Sequence, residues 1–335
     1  MANPVLKIII VLFCLFCPNN SMTITKAAAG GLTSRLATYS ASRGFSLHES
    51  IVDTIGKTPI IKLQRLSPKP DVNVYVKLES ENPGGSIKDR LAYGIIEWAE
   101  KHGHLQPGQT VIEASSGNTG IGLAVVCASK GYPLVVVMSE SFSVERRKLM
   151  RFFGAKVVLT NPAHKASGMI IKTKELADKH GYFWPDQFSH EANQWIHQQT
   201  TGPEIVAAFA EKKLDHFVCA YGTGGTVVGT SRYLKEHMPA TKIHVCEPSN
   251  APMLYSGIKS TYDGDSRIPE KAHPVWRPHL FQGWATDFVP RLMTDLLTEF
   301  PDMDIMPTSG FDAIDCSREM AKKEGIFSGT SGGGV

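Results

Sequence analysis

The chain has 335 residues, 42% of them hydrophobic and 20% charged, which allows about two domains with sizeable cores and excludes a disordered chain or a small disulfide scaffold. Its formal charge of +3 comes from 35 basic and 32 acidic side chains, but Lys7, Lys26, Arg35 and Arg43 all precede the first acid, Glu49. Without those four the balance is 31 to 32, a near-neutral body that argues against nucleic acid as a partner and favours small-molecule chemistry.

First in chain order is an unbroken apolar run, Ile8 to Cys17, led by Lys7 and stopped by Pro18. It is shorter than the ~20 residues of a bilayer span and has the form of a secretory h-region. From Met22 to Ser46 there is no acid, Ala, Ser and Thr abound, and Arg43-Gly44-Phe45 stands where a mitochondrial processing site would. Residues 1–46 are expected to be a targeting leader, removed on delivery to a mitochondrion or plastid and leaving no membrane attachment, with secretion the weaker alternative. Cys14 and Cys17 have CxxC spacing but lie in the apolar run and would leave with the leader. Cys127, Cys219, Cys246 and Cys316 are far apart in apolar surroundings, so they read as buried small hydrophobes in a reducing compartment, and no metal site is expected.

Beyond residue 46, β-rich runs alternate with helical periods, the pattern of an α/β fold with largely parallel sheets. Strands are predicted over 74–78, 110–113, 134–138, 156–159, 216–221 and 242–247. Helices are predicted over 89–102, 119–130, 144–153, 166–180, 202–211, 226–237 and 312–324. The aperiodic stretch Phe183 to Asn193 suggests a crossing between two α/β lobes, 47–189 and 190–335. The last residues, 329–335, read as a βα turn without its helix, which suggests a fragment whose C-terminal elements are missing.

Three glycine-rich turns stand where strands give way to helices. Gly222-Thr223-Gly224-Gly225-Thr226 offers inward backbone N–H groups, two hydroxyls and a helix N-terminus, a cradle for a phosphate. A dinucleotide fingerprint fails there because Val227 stands at the third glycine position, although Glu247 would imitate a ribose-binding acid, so a nicotinamide enzyme stays a competitor. Ser115-Ser116-Gly117-Asn118-Thr119-Gly120 suits a carboxylate, or simply caps its helix. In Asn82 to Arg90, Lys88 sits at a helix start where the dipole and Arg90 disfavour its protonated form, as a nucleophile or base requires.

Together the segments 54–63 (TIGKTPIIKL), 82–90 (NPGGSIKDR), 115–120 (SSGNTG), 200–205 (TTGPEI) and 222–226 (GTGGT) resemble the cysteine synthase family, relatives of cystathionine β-synthase, over roughly residues 48–333. The resemblance implies a fold type II enzyme of two three-layer α/β domains, a homodimer, carrying pyridoxal 5'-phosphate. It implies that Lys88 forms the internal aldimine and removes the Cα proton, that Asn118 bonds the cofactor ring oxygen, and that Gly222 to Thr226 hold its phosphate. Ser115, Ser116, Gly117, Asn118 and Thr119 would close on the substrate carboxylate, with Gln187 a further contact. The implied reaction forms L-cysteine from O-acetyl-L-serine and sulfide through an aminoacrylate, and the implied partner is serine acetyltransferase.

Two departures bear on this. The family's pyridine-nitrogen serine would fall beyond Val335, and residues 282–290 read QGWATDFVP where a common family form is QGIGAGFIP, so Trp284 and Asp287 replace smaller residues near the site. The β-substituent and nucleophile therefore stay open between cysteine synthesis, cystathionine synthesis and serine dehydration. A catalytically dead binding partner and the nicotinamide oxidoreductase are the more distant alternatives.

Overall fold

The computed structural model describes residues 7–13, 47–262, 269 and 271–335. In chain order the elements are β1 (Lys7–Phe13), β2 (Ile60–Lys62), β3 (Val72–Leu78), α1 (Lys88–Lys101), β4 (Val111–Ala114), α2 (Asn118–Lys130), β5 (Leu134–Ser139), α3 (Val144–Phe152), β6 (Lys156–Thr160) and α4 (Lys165–His180). A continuous helical stretch follows, made of α5 (Ala192–Ile196), a π-helical turn (His197–Thr201) and α6 (Gly202–Ala208). Then come β7 (His216–Ala220), α7 (Gly225–His237), β8 (Lys242–Pro248), α8 (Arg291–Glu299), β9 (Asp304–Thr308), α9 (Gly310–Glu324) and α10 (Thr330–Gly333).

The strands form two sheets. One has six strands in the order β2-β3-β1-β7-β8-β9, the other three in the order β4-β5-β6. Every pairing is parallel except β2 with β3. Every residue of β4 and β5 is buried, as expected of parallel strands covered on both faces. One face of the small sheet packs on α1 and α2 through Ile96, Ile121 and Val126, the other on α4 through Met169 and Ile170. The large sheet gathers Phe217, Val227, Val245, Met293 and Leu296 into a separate core. The two three-layer α/β bodies and largely parallel sheets are those expected, and the six strands and seven helices read from the sequence are all present within a few residues.

The structure sets three observations beside these expectations. A division at residues 189 and 190 does not separate the sheets, because β2 and β3 leave the first half of the chain to pair in the sheet of the second. Strand pairing depends on long-range register, which local periodicity does not carry. Arrangement of the N-terminal run is the second point: Lys7–Phe13 forms β1, with Val11 opposite Val76 on β3 and Val218 on β7. Cys14, Cys17, Met22, Arg35 and residues 43–45 lie outside the described residues. Third, Cys127, Cys219 and Cys246 are buried, but Cys316 is exposed on α9.

Candidate active site

Lys88 opens α1 behind a turn that only glycine permits. The Gly84 N–H donates to Asp89 Oδ2 at 2.5 Å, a side chain on Gly84 would meet Asp89 Oδ1 at 2.5 Å, and Gly85 has φ +81°. Burial raises the Asp89 carboxyl to about 7. Half-buried Lys88 points its Nζ at Thr223, 3.4 Å from Oγ1. Arg90 is not the uncompensated cation expected beside it. Its buried guanidinium donates from Nε to Glu79 Oε2 at 2.7 Å and from Nη1 to Glu204 Oε1 at 2.7 Å. Glu204 also takes Lys77 Nζ at 2.5 Å. These charges pin the first turn of α1, and with it Lys88, to α6.

The turn after β4 is held from inside. Ser115 Oγ accepts from Gly120 N at 2.8 Å and Gly117 N at 3.3 Å, so this hydroxyl caps its own loop. Thr119 donates to Gln187 Oε1 at 2.7 Å, while Gln187 Nε2 donates to the Ala114 carbonyl at 2.7 Å. Beneath them Glu113 accepts from Ala114 N at 2.8 Å and Gln187 N at 3.1 Å. Its burial, together with nearby Asp186, pushes this carboxyl up to about 8. Arg146 on α3, also buried and with its pKa lowered by that burial, donates to the Ser116 carbonyl and to Gln282 Oε1. One guanidinium thus joins the β4 turn to the segment carrying Trp284.

The third turn is packed too tightly for side chains. A Cβ on Gly222 would lie 2.7 Å from the Gly283 carbonyl oxygen, and one on Gly225 would lie 1.8 Å from Asn193 Oδ1. Gly224 has φ +92°. Asn193 Nδ2 donates both to Thr223 Oγ1 at 2.9 Å and to the Gln187 carbonyl at 2.7 Å, tying this turn to the previous one. His197 reaches Thr226 Oγ1 with Nε2 at 3.1 Å. Neither Asn193 nor His197 was anticipated. A buried polar residue in a segment without period carries no local signal, and only its position between two glycine turns reveals its role.

These three turns open on one cavity of about 770 Å³. Lys88, Ser115, Ser116, Gly117, Asn118, Thr119, Gln187, Gly222, Thr223, Gly224 and Thr226 all line it, whereas Gly225 stands behind. Trp284 stacks on Phe281 with ring centroids 4.0 Å apart and forms part of the wall, together with buried Asp287. A lysine amine between a glycine cradle and a hydroxyl-rich turn fits an aldehyde cofactor with a phosphate tail. A ribose-binding role does not fit Glu247, which is fully buried and spends its carboxylate on Leu254 N at 2.9 Å and Tyr255 N at 2.8 Å. Among the described residues no cluster of His, Cys, Asp and Glu is arranged to hold a metal ion.

A family profile described as pyridoxal-phosphate dependent enzyme matches residues 51–335. The chain is 45% identical over 288 residues to O-ureido-L-serine synthase of Streptomyces lavendulae, covering 86% of this chain and 82% of that one. It is 42% identical over 285 residues to cysteine synthase of Staphylococcus aureus, covering 85% of each. The crystal structure of O-ureido-L-serine synthase superposes with a TM-score of 0.78 at 43% identity, covering 86% of this chain and 84% of that chain. Cysteine synthase (OASS) from Entamoeba histolytica superposes with a TM-score of 0.76 at 31% identity, covering 94% and 83%.

Proposed function

Because this chain belongs to the pyridoxal-phosphate dependent enzyme family, we propose that it replaces the β-substituent of a serine derivative, forming L-cysteine from O-acetyl-L-serine and sulfide. Its cofactor is pyridoxal 5'-phosphate, with Lys88 as the attachment point and Gly222 to Thr226 as the phosphate cradle. The observation that carries the reading is the placement of Lys88 Nζ, 3.4 Å from Thr223, in one cavity with the turn at 115–119.

In this reading the backbone N–H groups and hydroxyls at 116–119 take the substrate carboxylate, and Thr119 is held in place by Gln187. Arg146 donates to the Ser116 carbonyl and so satisfies an acceptor that would repel that carboxylate. Lys88 Nζ takes the proton from Cα and returns it once the new bond to Cβ has formed, while acetate departs with the electron pair of the broken Cβ–O bond. The bound cofactor supplies the electron sink for the charge developing at Cα.

A second reading concerns the nucleophile alone. Likeness to O-ureido-L-serine synthase, with the polar side chain of Asp287 lining the cavity, favours a polar nucleophile, of which hydroxyurea would yield O-ureido-L-serine. The holoenzyme would be given O-acetylserine with sulfide or with hydroxyurea, and the amino-acid product identified by mass. Cysteine as the faster product supports the proposal, O-ureidoserine as the faster product supports the second reading, and product formation by Lys88→Ala at the wild-type rate would defeat both. A homodimer and a complex with serine acetyltransferase are further proposals drawn from the cysteine synthase resemblance. The first predicts a dimer mass on sizing and the second a C-terminal peptide that competes with O-acetylserine.

A further inference from the structure

His197 is buried, with 1% of its surface exposed, on the π-helical turn between α5 and α6. Interruptions of this kind frequently serve a site. Its two ring nitrogens each have one partner: Nδ1 lies 2.8 Å from Thr201 Oγ1 and Nε2 lies 3.1 Å from Thr226 Oγ1. Thr226 lines the cavity in the first turn of α7. The contact is held by close packing, because a side chain on Gly229 of α7 would lie 2.1 Å from the Gln194 carbonyl oxygen and 2.8 Å from His197 Cβ.

A hydroxyl has one proton to give. If Thr226 donated it to His197, the cavity would face only oxygen lone pairs, which repel a phosphate. If His197 donates from Nε2, the Thr226 proton is released for the anion, and Thr201 donates into Nδ1. A neutral imidazole has one donor and one acceptor, so only one of its two tautomers completes this chain. Burial, with Arg90 and Lys88 nearby, drives the ring's pKa well down and keeps it neutral.

We propose that His197 is a positioning residue for the cofactor phosphate, which it serves by donating from Nε2 to Thr226 and so turning the Thr226 hydroxyl proton into the cradle. The relay Thr201–His197–Thr226 is fixed in direction by the anion it serves. It rests on the cofactor alone and holds whichever nucleophile is used, so failure of the cysteine-forming proposal leaves it standing.

The test compares binding of pyridoxal phosphate with binding of pyridoxal, which lacks the phosphate, to the apoprotein. In His197→Gln the side-chain amide nitrogen takes the place of Nε2, and in His197→Asn it takes the place of Nδ1. His197→Asn should weaken pyridoxal phosphate by about tenfold, the scale of one hydrogen bond, and leave pyridoxal within about twofold. His197→Gln should stay within about threefold for both. In a Thr226→Val background His197→Asn should add less than about a further twofold, since its route to the phosphate is gone. Equal losses for the two ligands, or for Gln and Asn, would overturn the proposal. Should the variants fail to fold, 15N shifts of the wild-type ring decide it: Nε2–H in the loaded protein supports the relay and Nδ1–H overturns it.

Discussion

Replacing Glu204 by Gln keeps the side chain's shape and removes one charge from a buried cluster. Glu204 holds Arg90 at 2.7 and 2.8 Å and Lys77 at 2.5 Å, and those cations lower its carboxyl from an ordinary 4.5 to about 2. At neutral pH that shift corresponds to about 3 kcal/mol of stability. Lys77 points the other way, because burial lowers its pKa more than the two carboxylates raise it. The Glu204 side governs, since that carboxylate is the partner with access to solvent, at 19% exposure, and the variant would leave two buried cations to Glu79 alone. For a depressed acid the stabilisation is present above 4.5 and lost as pH falls through 2. The difference between wild type and Glu204→Gln, measured by urea unfolding of the apoprotein, should therefore be about 3 kcal/mol at pH ~7 and shrink to about 2 kcal/mol at pH ~3.5. A difference below about 0.5 kcal/mol at neutral pH, or one that grows on acidification, would refute the reasoning.

Gly225→Ala would set a methyl group 1.8 Å from Asn193 Oδ1, and displacing Asn193 frees Thr223. Affinity for pyridoxal phosphate should fall more than about tenfold by equilibrium dialysis, and a change below about twofold would count against the cradle. Deleting residues 1–46 removes β1 and leaves β3 and β7 facing each other across a slot one strand wide, about 10 Å. The shortened chain should melt at a lower temperature and aggregate more readily than the full one; identical melting would show that β1 contributes nothing.

Strongly periodic elements were legible. The run at 134–138 reads as a buried strand because every residue is apolar, and α2 announces its end with Gly131 in the left-handed conformation. The glycine turns were legible for the same reason, since close packing and positive φ leave a compositional trace. What escaped depends on distant partners. β2, at three residues, is too short to show a period, and α8 rests on Met293 and Leu296 alone among buried residues. Arg90 beside Lys88 in sequence suggested charge repulsion, but Glu79 and Glu204 reach it across 11 and 114 residues. His197 and Asn193 meet the cavity wall through Thr226, Thr223 and the Gln187 carbonyl, and no pattern around them names those partners.

β1 is made long before one of its two neighbours. Ile9 lies opposite Val74 and His216, so its second neighbour leaves the ribosome some two hundred residues after it. At about 5–20 residues per second this is an interval of roughly 10–40 s. For that time an apolar segment led by a lysine lacks the partner on one of its two edges. Completion of the large sheet around β1 therefore waits on the second half of the chain.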